Sequence, residues 1–290
     1  MVSIVIPAYN EEKAIKQTLD EIIKIIKVNS KLKGSEIIVV NDGSLDNTKD
    51  ILEEYDVMLI NNPHNMGYGY SLKRGIMAAK NELIVTIDAD GTYPFSYITE
   101  MLKKKEEGFD LVVGARSGKY YKGSIFKNIC RKMLKRLVEY VTDKKIKDVN
   151  SGFRIFDKKT VVKYLDVFCN TFSFSTSQTL CYTMNSLFVG YVDIPYNKRY
   201  GKTKVKFLKD SLRSLKYIIE LSIYYNPFKI FSLLTIICII LSIIGFLFSH
   251  YAKIKAGYIL GIGGLLVSII VFSLGLLAVL LKQIMNKNEK

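Results

Sequence analysis

Asp88 and Asp90 stand one residue apart at the end of the apolar run 83–87. Hard carboxylate oxygens suit Mg²⁺ or Mn²⁺, cations that keep several waters and take substrate phosphates as further ligands. A diphosphate is the natural co-ligand. Such a cation would neutralise charge on a departing nucleoside diphosphate, and Arg116 would add electrostatic stabilisation. The two carboxylates are expected to point apart, one towards the metal and the other orienting a ligand. The chain has only two histidines, His64 and His250, so neither a Ser-His-Asp nor a Cys-His arrangement is supportable. Pro7-Ala8-Tyr9-Asn10-Glu11 follows the first apolar run, where a P-loop or a dinucleotide-binding protein would carry glycines. Gly67-Tyr68-Gly69 opens a helix and reads as a tight turn. Cys130, Cys169, Cys181 and Cys238 are scattered without paired spacing and read as reduced apolar residues.

Elements able to position these groups are legible in the first 115 residues. Short β-branched runs at 2–6, 36–40, 57–60, 83–87 and 110–113 alternate with helical patterns at 11–28, 46–55, 68–80 and 94–107. That alternation predicts α/β units around a mostly parallel sheet, with ligands beyond the carboxyl ends of the strands. Tyr9, Asn10, Glu11, Asn41, Asp42, Asp88, Asp90 and Arg116 all fall there. Each has a plain structural role open to it as well: Asp42-Gly43-Ser44 suits a turn, and Ser44 or Asp46 suits a helix cap.

The C-terminal quarter differs in kind. Segments 230–248 and 258–281 contain no charged residue, and at about 1.5 Å per residue each can cross a hydrocarbon layer roughly 30 Å thick. The formal net charge of +15 is concentrated ahead of them: nine lysines and arginines lie in 198–229 against Asp210 and Glu220. Lys282, Lys287 and Lys290 follow them. This bias predicts an integral membrane protein with both termini in the cytoplasm. The run 2–6 is too short for a signal peptide, so the catalytic part is expected on the cytoplasmic side too. In 122–142, Ile125, Ile129, Met133, Leu137 and Val141 mark an apolar stripe opposite Lys127, Arg131, Lys132, Lys135 and Arg136. A similar mixture recurs in 205–225, and both segments suit docking onto anionic lipid.

Taken together, IVIPAYNEE at 4–12, VVNDGSLDNT at 39–48, IDADGTYP at 87–94, GAR at 114–116 and NSGFR at 150–154 resemble the family 2 glycosyltransferases of GT-A fold. With KRYGKTK at 198–204 and the apolar segments behind it, the chain is most similar to the polyprenyl-phosphate group, the dolichyl-phosphate mannose or glucose synthases. The resemblance implies a Rossmann-like α/β catalytic domain over 1–204 with a mostly parallel sheet and a basic amphipathic helix near 122–142. A juxtamembrane amphipathic helix, 205–229, would follow, then a two-helix transmembrane hairpin, 230–290, with a short cytoplasmic tail.

The same resemblance implies roles by position. Pro7, Tyr9, Glu11 and Asp42 would bind the nucleotide. Asp88 and Asp90 would hold the diphosphate and its Mg²⁺ or Mn²⁺, with Arg116 and Arg199 completing the catalytic set. Arg131, Ser151, Arg154 and Lys202 would serve the acceptor phosphate. Mannose synthases often carry a glutamine two residues past the second aspartate as a further metal ligand; this chain has Thr92. The implied reaction is a single inverting transfer of one sugar, of the UDP-glucose or GDP-mannose type, onto a dolichyl or undecaprenyl phosphate. A lipid phosphate is already ionised at pH 7, which fits the absence of a histidine base among the motifs. A processive polysaccharide synthase would need a Gln-x-x-Arg-Trp motif, and the chain has no tryptophan. A non-catalytic membrane scaffold would not need these acids and arginines together. The expected partners are the nucleotide sugar, the lipid phosphate and the bilayer; no nucleic acid is expected, and self-association stays open.

Overall fold

The computed structural model describes residues 1–121, 125–201, 207–253 and 255–288. The chain forms two compact units, Met1–Tyr217 and Ile218–Lys290. In the first, seven strands make one sheet: β1 (Ser3–Ala8), β2 (Glu36–Asn41), β3 (Met58–Asn61), β4 (Leu83–Thr86), β5 (Leu111–Ser117), β6 (Arg154–Asp157) and β7 (Val189–Pro195). Their order is β3-β2-β1-β4-β6-β5-β7, and only β6 runs antiparallel to its neighbours. Every residue of β1 is buried, as befits a central strand covered on both faces. Its parallel register with β2 sets Ala8 opposite Asn41, so the loops that follow both strands leave from one edge.

Helices α1 (Ile15–Val28), α2 (Thr48–Glu53), α3 (Tyr68–Ala78) and α4 (Ile98–Glu106) fill the crossovers, as the alternation predicts. Helix α3 starts at the expected Tyr68, whereas α1, α2 and α4 start later than periodicity alone suggests. The Glu11 carbonyl accepts from the Ala14 and Ile15 amides, both at 2.9 Å, so 11–14 form a turn ahead of α1. Asp46 accepts from the Thr48 amide at 3.0 Å and from the Glu12 amide at 3.2 Å, tying the front of α2 to the first loop.

Beyond residue 115 the structure adds what periodicity did not announce. Helices α5 (Ile125–Thr142), α6 (Lys158–Val162) and α7 (Phe174–Met184) accompany β6 and β7. Strand β6 has four residues, two of them charged. Strand β7 is a half-exposed edge strand. Helix α7 is buried all round despite Ser175, Thr176, Ser177, Gln178 and Thr179, so it has no polar face to betray a 3.6-residue period. The single stripe expected along α5 divides: Ile125, Ile129 and Met133 are exposed, whereas Val138 and Val141 are buried.

Helix α8 (Phe207–Tyr225) crosses the boundary between the units, and α9 (Pro227–Ala252) and α10 (Lys255–Asn288) make up the rest of the second. These last two meet through small residues. The Ser242 hydroxyl donates to the Gly261 carbonyl at 2.5 Å, and a methyl on Gly257 would lie 2.7 Å from the Gly245 carbonyl. Their apolar windows are only 17% and 11% buried, unlike the core helices of a soluble domain. Both are long and apolar enough to cross a membrane. They outrun the uncharged segments at each end because a helical ladder continues into polar sequence.

Helix α3 lies close on the sheet at Gly75, where an added methyl would come 2.4 Å from Val5 Cγ1 and 3.2 Å from Val40 Cγ2. Gly75→Ala is expected to destabilise the first unit by about 1–3 kcal/mol, the usual cost of overpacking. A lowered melting temperature in detergent would register it; an unchanged one would mean α3 can lift without cost.

Candidate active site

The carboxyl ends of β1 and β2 meet through their loops. Asn10, at φ +52°, donates its amide to Ser44 Oγ at 2.9 Å and accepts the Leu45 amide at 2.7 Å. The Glu11 amide donates to Thr48 Oγ1 at 2.8 Å. Asp42 accepts from Asn62 Nδ2 at 2.6 Å and from the Met66 and Gly67 amides at 2.9 Å. One carboxylate thereby shapes the loop that launches α3, with Gly67 supplying φ +105°. These loops enclose a cavity of about 470 Å³ whose walls include Pro7, Tyr9, Glu11, Asp42, Asp88, Asp90 and Arg199. The four residues expected at the nucleotide therefore line one space, and Asp42 also holds its wall.

Asp88 and Asp90 converge in that space. Strand β4 stops at Thr86, so they lie in the loop beyond it, and even in a strand residues two apart share a face; the expected divergence is corrected accordingly. Asp90 Oδ1 accepts from the Thr92 amide at 3.1 Å and its hydroxyl at 2.5 Å, while Oδ2 lies 3.2 Å from Arg199 Nη1. Arg199 Nη2 donates to Glu11 Oε1 at 2.7 Å, so one guanidinium bridges the two acids. Asp88 Oδ1 accepts from the Tyr68 hydroxyl at 2.8 Å. A methyl on Gly152 would lie 2.4 Å from the same oxygen, so only glycine leaves room for it. Burial first, and the Asp90 charge second, push the Asp88 carboxyl up to about 7, against the Tyr68 hydrogen bond and the Arg116 and Arg199 charges. Two converging acids under that strain are a fit for a divalent cation. Among the described residues no group of three or more metal-ligating side chains exists, so phosphate oxygens and water would complete its shell.

A second cavity of about 330 Å³ adjoins the first, sharing Tyr68, Asp88, Asp90, Phe172, Arg199 and Asp210. Arg116, Lys127, Arg131 and Asn150 line the rest of it, and no histidine lines either space. Arg116 is held by Asp148 through two bonds, Nε–Oδ2 at 2.7 Å and Nη2–Oδ1 at 2.9 Å. Burial works against the Arg116 charge, but Asp148 outweighs it and holds the guanidinium well above its ordinary value. Burial likewise opposes the Asp148 charge, and Arg116 overcomes it, keeping that carboxyl below its usual range.

Two expected acceptor residues stand elsewhere. Ser151 is buried, its hydroxyl 3.4 Å from that of Tyr93. Arg154 is 1% exposed and spends its donors on the Ser151 and Val149 carbonyls, Gln178 and Thr179. It knits β6 to α7 and reaches neither cavity, because the register sets Arg154 opposite Thr86 and Val113, on the sheet face where Gln178 and Thr179 of α7 meet it. Lys202 lies outside the described residues. Sequence patterns also passed over Tyr68 and Asp148. Tyr68 sat inside a motif taken for a turn, and Asp148 had only the unmet need of a buried arginine for an acid to signal it.

The Arg116–Asp148 pair predicts a stability effect. Asp148→Ala would strand a buried guanidinium and is expected to cost about 3–5 kcal/mol in chemical denaturation. Since the folded carboxyl is depressed, the stabilisation is complete above the unfolded value of about 3.9 and is lost as pH falls through the lower folded value. An alanine variant as stable as the parent at pH 7 would contradict the pairing.

Comparison with known proteins agrees with this architecture. The glycosyl transferase family 2 profile matches residues 3–165. A dolichyl-phosphate beta-glucosyltransferase of Trichomonas vaginalis is 33% identical over 176 residues, 54% of this chain and 53% of the relative. The chain thus spans about half the length of that relative. An undecaprenyl-phosphate 4-deoxy-4-formamido-L-arabinose transferase of Proteus mirabilis is 27% identical over 263 residues, 85% of this chain and 74% of its own. Among solved structures, the glucosyl-3-phosphoglycerate synthase of Mycobacterium tuberculosis, in complex with Mn²⁺, UDP and glucosyl-3-phosphoglycerate, superimposes with a TM-score of 0.61 at 19% identity. That likeness covers 77% of this chain and 80% of the synthase, and it concerns the GT-A fold alone. More than half of the chain matches the family profile over the strands and loops that build the first cavity, and the chain belongs to glycosyl transferase family 2.

Proposed function

We propose that this glycosyltransferase moves one sugar from a nucleotide sugar to a membrane polyprenyl phosphate, with inversion at the anomeric carbon. The observation that carries the proposal is the junction of the two cavities. An acid-lined space suited to a nucleoside diphosphate and its cation opens, at Asp88, Asp90 and Arg199, into a space lined by Arg116, Lys127 and Arg131. The names of the dolichyl-phosphate and undecaprenyl-phosphate relatives support a polyprenyl phosphate as acceptor.

In this proposal Pro7, Tyr9, Glu11 and Asp42 bind the nucleoside. Mg²⁺ or Mn²⁺ held by Asp88, Asp90 and the diphosphate would neutralise the leaving group. Arg199 stands at the junction, where its charge can serve either phosphate. An acceptor phosphate oxygen attacks the anomeric carbon as the bond to the diphosphate breaks, and the nucleoside diphosphate leaves with the electron pair. No side chain need remove a proton, which agrees with two cavities that no histidine lines. Arg116 and Arg131 orient the acceptor.

Helix α5 supports a lipid acceptor. Ile125, Ile129 and Met133 are 80%, 51% and 66% exposed along one stripe, with exposed Lys132 and Arg136 at its margin. Lys127, Arg131 and Leu134 of the same helix line the basic cavity. An apolar stripe with a basic fringe suits an anionic membrane surface. With the lysine and arginine excess of 198–229, it favours a cytoplasmic catalytic unit and cytoplasmic chain ends.

Purified protein incubated with labelled nucleotide sugars, Mn²⁺ or Mg²⁺ and polyprenyl phosphate should yield label extractable into organic solvent. Asp90→Ala should lower that yield at least about 100-fold while membrane insertion persists. No labelled lipid with any donor would refute the proposal.

The cation itself can be tested through Asp88, which must ionise to bind it. With a carboxyl titrating at about 7, Mn²⁺ binding in the presence of UDP should tighten roughly tenfold between pH 6 and pH 8. Electron paramagnetic resonance titration in detergent, corrected for UDP alone, reads this directly. A flat profile would remove Asp88 from the ligand set.

A further inference from the structure

Tyr121 lines neither cavity, yet both arginines of the basic cavity rest on it. Arg116 Cζ and Arg131 Cζ each lie 5.0 Å from its ring centroid. Arg131 also donates Nη1 to the Tyr121 carbonyl at 2.7 Å. Two guanidinium groups in one small space repel each other, and an aromatic ring that attracts both offsets part of that repulsion. Each is oriented by a second partner, Arg116 by Asp148 and Arg131 by the carbonyl.

The ring has a firm foundation. Tyr121 meets Tyr196 edge-on at 6.3 Å, Tyr196 meets Tyr93 at 5.5 Å, and Tyr93 meets Phe153 at 6.1 Å. Phe153 stacks on Phe95 at 6.0 Å, and Tyr93, Phe95 and Phe153 all belong to the buried core of the sheet. Arg116 lies 5.5 Å from the Tyr196 ring as well. A ladder of rings thus runs from the core to the wall of the basic cavity, and Tyr121 is its last rung.

We infer that Tyr121 is a positioning residue for the acceptor: its ring holds Arg116 and Arg131 together so that the pair grips one phosphate monoester. The inference rests on the acceptor role proposed above for the basic cavity. Alone on α5, Arg131 would be a long side chain with many rotamers, and a phosphate would have to order it at an entropic cost. Docked on the ring, it is ordered beforehand. The fork geometry of arginine then suits phosphate oxygens, which a lysine at the same place would meet only as a point charge.

The test compares Tyr121→Leu with Tyr121→Phe in the full chain in detergent. Removing the ring should weaken dodecyl phosphate binding by calorimetry, and raise KM for undecaprenyl phosphate, about tenfold, the scale of one strong cation–π contact. KM for the nucleotide sugar should stay within about twofold, and the phenylalanine variant, which keeps the ring and loses only the hydroxyl that Arg116 also meets, should bind the lipid phosphate clearly better than the leucine variant. Because the ring acts by holding Arg131 beside Arg116, the losses from Tyr121→Leu and Arg131→Gln should be clearly less than additive in the double variant. Should the leucine variant fail to fold, Tyr121→Met serves the same comparison. Equal shifts in both KM values, or additive losses in the double variant, would overturn the inference. A parent that binds dodecyl phosphate through Arg131 and Tyr121 but glycosylates no polyprenyl phosphate would refute the proposed acceptor and leave the role of Tyr121 standing. A parent that does glycosylate it, with a leucine variant of unchanged lipid KM, would do the reverse.

Discussion

Two carboxylates of like charge, Asp88 and Asp90, are brought together in one partly buried corner, and much of the catalytic unit is arranged around making that tolerable. Desolvation and the neighbouring Asp90 charge both disfavour ionisation of Asp88. The surroundings answer with the Tyr68 hydroxyl on Asp88, Thr92 on Asp90, and the Arg199 guanidinium spanning Asp90 and Glu11. Space is as constrained as charge, since Gly152 must lack a side chain for Asp88 to fit. Such a corner is poised for a cation, whose charge would relieve what protein groups only partly offset. The Thr92 amide and hydroxyl both fix the orientation of Asp90.

The basic cavity obeys a complementary rule. Arg116 and Arg154 are both deeply placed, but they are satisfied in different ways and for different ends. Arg116 is matched by Asp148, which cancels much of its charge while leaving the guanidinium on the cavity wall. Arg154 has carbonyls, an amide oxygen and a hydroxyl as its hydrogen-bond acceptors, and burial lowers its hold on the proton. It serves as a rivet between β6 and α7. Two arginines in the motifs GAR and NSGFR therefore part company: antiparallel β6 pairs Arg154 with Val113, whose face alternation denies to Arg116.

That reversal comes from the sheet. Inserting antiparallel β6 between β4 and β5 sets the carboxyl end of β5, with Arg116, one strand further from Asp88 than a parallel neighbour would stand. The loop 148–152 at the start of β6 fills the gap, bringing Asp148 to Arg116 and Gly152 to Asp88. One short strand thus supplies partners to both halves of the site.

Local sequence determined a good deal: the alternating strands and helices up to β5, the clustering of Tyr9, Glu11, Asp42, Asp88 and Asp90 at one sheet edge, and two helices fit to cross a membrane. These features depend on periods of two or 3.6 residues, on uncharged length, or on strand ends, all of which a window of some twenty residues contains. Tertiary structure alone decided that Asp88 and Asp90 converge, that Asp148 belongs to Arg116, that Arg154 turns inward, and that Tyr68 joins the acid pair. Tyr68 and Asp88 are 20 residues apart, Arg116 and Asp148 are 32, and Glu11 and Arg199 are 188. No local pattern encodes such pairings, because they arise only when the sheet order brings separate loops to one edge and burial forces each charge to find a partner.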